Sequence, residues 1–99
     1  MHRKIISKAT SIDQTINDPA FAVMRKMISL IPNYEPSYIL DYSVKDNTTH
    51  FVRFSTEEPS YGIEIMRCIY NTISGKILYQ TIYISQDEEE MSFDISDEE

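Results

Sequence analysis

Between residues 37 and 55 the chain carries two runs of alternating character separated by a short polar break. In the first, Tyr38, Leu40, Tyr42 and Val44 alternate with Ile39, Asp41 and Ser43. In the second, His50, Val52 and Phe54 alternate with Thr49, Phe51 and Arg53. A period of two belongs to a strand, whose successive side chains point to opposite faces. Lys45, Asp46, Asn47 and Thr48 between the runs have turn chemistry. The stretch therefore predicts a β-hairpin, with its second strand at the centre of the fold. His50, Val52 and Phe54 are expected on the core side. Thr49, Phe51 and Arg53 are expected on the other side, where a ring and a guanidinium stand next to each other.

The flanking segments supply neighbours for this hairpin. Residues 3–9 read as a short strand around Ile5 and Ile6, although Ile5, Ala9, Ile12 and Ile16 also fit helical spacing. Residues 10–17 are polar and read as a loop. Asp18 and Pro19 mark a helix start: Asp accepts from free backbone N–H groups, and Pro at the first helical position loses no hydrogen bond. Ala20, Val23, Met24, Met27 and Ile31 then recur at helical spacing until Pro32 and Asn33 stop them. Such a Met-rich stripe reads as core.

Residues 56–75 admit two readings. Ile63, Ile65, Ile69, Thr72 and Ile73 have strand character. Ser60, Glu64, Arg67, Asn71 and Ser74 fall at steps of four and three, which is one face of a helix. Glu57, Glu58 and Pro59 suit a helix start, and Gly75 suits its end. The helix is preferred, and a four-stranded meander with one helix is the competing reading. Residues 76–84 form a last strand, with Leu78, Gln80, Ile82 and Ile84 on one face and Ile77, Tyr79, Thr81 and Tyr83 on the other. The order strand, helix, strand, strand, helix, strand predicts an α+β fold. It is the ferredoxin-like βαββαβ sandwich, a four-stranded antiparallel sheet with two helices on one face.

Charge divides the chain. Of 99 residues, those from 86 onward carry eight acids and no base, while residues 1–85 hold nine bases against eight acids. The net charge of −7 thus belongs to an appendage, and the expected division is one domain over residues 1–85 with an acidic, disordered tail over 86–99. Within that tail Met91, Phe93 and Ile95 alternate with polar residues after Glu88, Glu89 and Glu90. An acidic segment with spaced apolar residues is a candidate for holding a protein partner.

From about residue 37 to residue 84 the chain resembles the RNA recognition motif family. Phe51, Val52, Arg53 and Phe54 resemble the second half of the octapeptide on that family's central strand. Asn47, Thr48 and Thr49 stand at the octapeptide's basic, glycine and first aromatic positions. Gly62, Ile65, Met66 and Ile69 are similar in spacing to the family's second helix. Residues 71–78 are similar to the turn feeding its last strand. The resemblance implies an open sheet face that stacks single-stranded RNA on rings. On that reading Phe51 and Tyr79 are platforms, Arg53 meets phosphate or a base edge, and Thr49, Asn47 and Lys4 complete the contacts. The expected function is a module of an RNA–protein complex that binds single-stranded RNA weakly. The alternative is a small protein-binding adaptor or inhibitor that uses the sheet face or the tail, including a homodimer through Ile39, Phe51, Ile77 and Tyr79.

Catalysis finds little in this composition. His2 and His50 lie far apart, and only Gly62 and Gly75 are available for a phosphate-cradling loop. Cys68 has no base near it in sequence, and no Cys, His or carboxylate set has metal-ligand spacing. The expectation is a protein without enzymatic activity, cofactor or metal. No apolar run reaches bilayer length, and the apolar stretch after Met1 is too short for a signal peptide. The single cysteine excludes an internal disulfide and fits a reducing, intracellular setting, cytoplasmic or nuclear.

Overall fold

The structure, a computed structural model, describes residues 1–59 and 62–83. Its elements are β1 (His2–Ile6), β2 (Thr10–Ser11), α1 (Ala22–Ser29), β3 (Tyr38–Lys45), β4 (Thr49–Ser55), β5 (Glu64–Asn71) and β6 (Ile77–Tyr83), with 3-10 turns at Ile12–Gln14 and Pro19–Phe21. The strands form one antiparallel sheet in the order β1-β3-β4-β5-β6, and β2 pairs with the start of β3.

The hairpin forms as the alternation predicts: β3 and β4 pair from Tyr38↔Ser55 to Lys45↔Thr49. Asp46 and Asn47 turn the chain at φ of 54° and 62°, a left-handed region that Asp and Asn tolerate better than most residues. The Thr48 N–H closes the turn on the Lys45 carbonyl at 3.1 Å. The first helix also starts where Asp18 and Pro19 place it. Ala20 N–H donates to Asp18 Oδ1 at 2.9 Å, a 3-10 turn follows, and α1 runs on from Ala22. Met24, Met27 and Ile31 are buried against the sheet, so the Met stripe is core.

The two-helix sandwich is not what the chain builds. Residues 64–71, expected within a second helix, form β5 between β4 and β6, so β3 to β6 are a meander with one α-helix among the described residues. Two physical reasons decide it. Gly62 takes φ +87°, which ends any helix there. A strand inside a sheet buries residues on both faces, so β-branched Ile65 and Ile69 serve one side while Cys68 and Tyr70 serve the other.

Among the described residues the helical turns pack on one side of the sheet, its inner face. Its core joins Met24, Met27 and Ile31 to Ile39, Tyr42, Val44, Val52, Phe54, Cys68 and Tyr70. A bulge shifts the β3–β4 register between Ile39 and Asp41. An extra residue on one strand turns the side chains beyond it to the other face. Ile39, Tyr42 and Val44 therefore share the core, whereas the plain alternation had grouped Leu40 with Tyr42 and Val44.

Candidate functional site

The outer face, opposite α1, is built by the central strands and closed at one side by β1. The bulge brings Asp41 opposite Arg53 on this face. Arg53 Nε donates to both Asp41 oxygens at 3.1 and 3.0 Å, and its Nη2 donates to Oδ2 at 2.5 Å. The side chains keep 8% and 17% exposure, so the fork is largely withdrawn from water. Burial pushes the Asp41 carboxyl up, while hydrogen bonds from Arg53 and the charges of Arg53 and Lys4 pull it back. Beside the pair, His2 reaches across β3. Its Nε2 lies 2.9 Å from Ser43 Oγ, and its ring stacks on Phe51 at 5.4 Å between centres. Phe51 retains 1% exposure.

The residues expected to contact RNA are not brought together. Phe51, Thr49, Arg53 and Lys4 belong to the outer face. Tyr79 pairs with Cys68 and so lies on the inner-face side, at the rim beyond the helix. Phe51 and Tyr79 consequently cannot form one stacking platform, and Phe51 is interior rather than open. Asn47 sits in the β3–β4 turn. The expected dimer surface divides likewise, since Ile39 is fully buried in the core while Phe51 is on the opposite face. The expected tail contacts Met91, Phe93, Ile95, Glu88, Glu89 and Glu90 lie outside the described residues.

The two lateral edges of the sheet differ in kind. The β1 edge is short, shifts register between Lys4 and Ile6, and carries His2, Arg3 and Lys4. Charges and irregularity of this sort discourage further pairing. The β6 edge is seven residues of regular strand, Ile77–Tyr83, without a charged residue or proline. Leu78 is 69% exposed, Tyr83 62% and Tyr79 45%. Arg67, Ile69, Leu78, Tyr79 and Gln80 line a shallow open depression of about 350 Å³ along this edge. Sequence reasoning assigned β6 correctly as a strand but missed its edge as a surface. The missed signal was the last described strand, Ile77–Tyr83, with no gatekeeping charge among its own residues.

A histidine and a cysteine are buried on the inner-face side of the sheet. Tyr42 Oη and His50 Nδ1 are 2.8 Å apart, and burial, with the charge of Arg3, holds His50 below its ordinary value. Cys68 is fully buried and its thiol is pushed up to about 12 by burial, which keeps it in the unreactive protonated form. Among the described residues no cluster of His, Cys, Asp or Glu is arranged to hold a metal ion. No helix among them is long and apolar enough to cross a membrane. No family model, curated protein or solved structure matches the chain.

Proposed function

We propose that this chain is a small protein-binding adaptor that holds an extended segment of a partner by adding it as a strand to the β6 edge. The observation that carries this reading is the uncharged, proline-free edge of Ile77–Tyr83 with Leu78 largely exposed. An added strand takes its affinity from main-chain hydrogen bonds and its specificity from alternate side chains entering pockets. The depression between Ile69 and Leu78 suits one such side chain. The meander behind β6 is continuously paired through β5, β4 and β3, so the edge is held by a rigid frame. The single-stranded RNA reading has less support, because its two stacking rings belong to opposite faces.

The test uses the full chain as bait, alongside Leu78→Lys and Ile73→Lys. Ile73 is 81% exposed but lies in the β5–β6 turn, off the edge. The adaptor reading expects a protein retained by the parent chain and by Ile73→Lys, and lost or weakened about tenfold or more, about 1.4 kcal/mol, by Leu78→Lys. Retention that ignores Leu78→Lys sinks it. Titration with short single-stranded RNA at low salt separates the other class: binding that Tyr79→Ala abolishes would favour a nucleic-acid surface.

A further inference from the structure

We propose that the β6 edge, when no partner segment holds it, is occupied by β6 of a second copy, paired antiparallel about a two-fold axis at Gln80. The inference rests on the adaptor reading in one respect, that this edge takes an added strand, and it supplies the regulation of that site.

The hydrogen-bond direction of β6 is fixed where the strand begins. Asn71 N–H donates to the Lys76 carbonyl at 3.1 Å. Opposed residues of an antiparallel pair alternate between hydrogen-bonded and non-hydrogen-bonded. The β5–β6 register runs from Tyr70↔Ile77 to Glu64↔Tyr83 without a shift. Leu78, Gln80 and Ile82 therefore direct their main-chain groups to β5. Ile77, Tyr79, Thr81 and Tyr83 direct theirs outward, to a side where β6 meets no strand among the described residues. The side chains are open there too, since Leu78, Tyr79, Gln80 and Thr81 are exposed in succession.

Symmetry selects the register. A two-fold axis normal to the sheet runs the two strands antiparallel and keeps both copies of α1 on one side, so each residue meets only residues of its own face. With Gln80 on the axis, Ile77 falls opposite Tyr83 and Tyr79 opposite Thr81. Each pair occurs twice, and the outward groups close about eight hydrogen bonds. Moving the axis to Tyr79 or Thr81 leaves strand ends unpaired and closes about six. On the outer side Leu78 meets Ile82, and the two Gln80 amides meet with a donor and an acceptor apiece. The strand is its own complement.

Charge and size agree with a second copy. β6 holds no charged residue, so the seam sets no charge against its like. Arg67 stands one strand back, opposite Gln80 on β5. The Arg67 backbones of the two copies are three strand spacings apart, roughly 14 Å, against a screening length of about 8 Å. One strand pair is small beside the roughly 1,200–2,000 Å² of a stable complex, so the copies exchange and a partner segment can displace one of them.

The test is mild oxidation of the full chain with one added cysteine, read on a non-reducing gel. Gln80→Cys sets two thiols on the axis in a non-hydrogen-bonded pair, with Cα atoms about 4.5 Å apart, a span that a disulfide bridges. Leu78→Cys uses a position that is 69% exposed. Its two copies, however, lie four residues out of register, roughly 14 Å apart along the strands. Cys68 does not compete, being buried and protonated. The dimer predicts severalfold more disulfide-linked species from Gln80→Cys than from Leu78→Cys, and a sedimentation mass of the parent chain that rises with concentration. Equal cross-linking of the two, the mark of random collision, overturns it. So does a preference for Leu78→Cys, the mark of another register, or a parent chain that stays monomeric at the cross-linking concentration. Any protein retained in the adaptor test should be lost by the locked Gln80→Cys dimer and regained on reduction, and retention by the locked dimer overturns the regulation. The cross-links need no foreign protein, so the dimer and the adaptor reading fail separately.

Discussion

The imidazole of His2 lies over the ring of Phe51, their planes within 15° and their centres 5.4 Å apart. The contact spans β3, because His2 pairs with Lys45 while Phe51 pairs with Ser43. The short basic strand β1 thereby packs its His2 ring on a large buried side chain of a face that has no helix among the described residues. Phe51 behaves as an interior residue. Phe51→Ala is expected to cost about 3–4 kcal/mol, as truncation of a buried ring does. His2→Ala is expected to cost about 0.5–1.5 kcal/mol, the worth of the ring pair. Urea unfolding monitored by circular dichroism measures both. A loss below 1 kcal/mol for Phe51→Ala would return the ring to the surface.

The Asp41–Arg53 fork predicts strong coupling. Asp41→Ala is expected to destabilise by about 3 kcal/mol, the low end for a broken buried pair. The 17% exposure of the Arg53 side chain lets water relieve part of the cost. Replacing both partners, Asp41→Leu with Arg53→Met, is expected to recover most of the loss, since two apolar groups need no compensation. A double-mutant cycle should return a coupling of about 1–3 kcal/mol. Strict additivity of the single changes would mean that the fork adds nothing.

His50 makes stability depend on pH with a definite sign. Burial and then Arg3 hold its folded pKa below the ordinary 6.5. Between that ordinary value and the lower folded one, the unfolded chain binds more protons than the native chain. The His50 contribution is therefore complete above about pH 6.5 and is lost as pH falls towards the folded value. Asp41 acts oppositely: its carboxyl is raised from 3.8, so its contribution grows as pH falls through the raised value towards 3.8. Denaturation at pH 8 and at pH 5.5 should show a decline that His50→Gln removes. The His50 ring proton in a nuclear magnetic resonance titration should have its midpoint below 6.5, and a midpoint above it would refute the assignment.

The β6 edge predicts a separation of stability from association. Leu78→Lys removes an exposed side chain and should change unfolding free energy by less than about 0.5 kcal/mol. The same change adds a charge to an open edge and should suppress strand addition, whether by a partner or by another copy. Sedimentation of the parent chain and the variant at matched concentrations reads the self-association part. An unfolding change of 2 kcal/mol or more would show that β6 is built into the core rather than presented at its rim.

What the residues alone determined was local. The hairpin over 37–55 was legible because two runs of strand-forming residues flank Lys45, Asp46, Asn47 and Thr48, whose turn chemistry is local. The helix start at Asp18 and Pro19 was legible because capping is chemistry between neighbours. The tertiary structure decided what distant strands do to each other. β5 buries residues on both faces, so its period of two is blurred, and the helical spacing of its polar residues carried no weight against pairing with β4 and β6. The bulge at Leu40 sends Asp41 to Arg53, and one inserted residue cannot be located from alternation alone. The rings of Phe51 and Tyr79 part company for the same reason: which face a side chain takes depends on register across three strands, a quantity that exists only once the sheet has assembled.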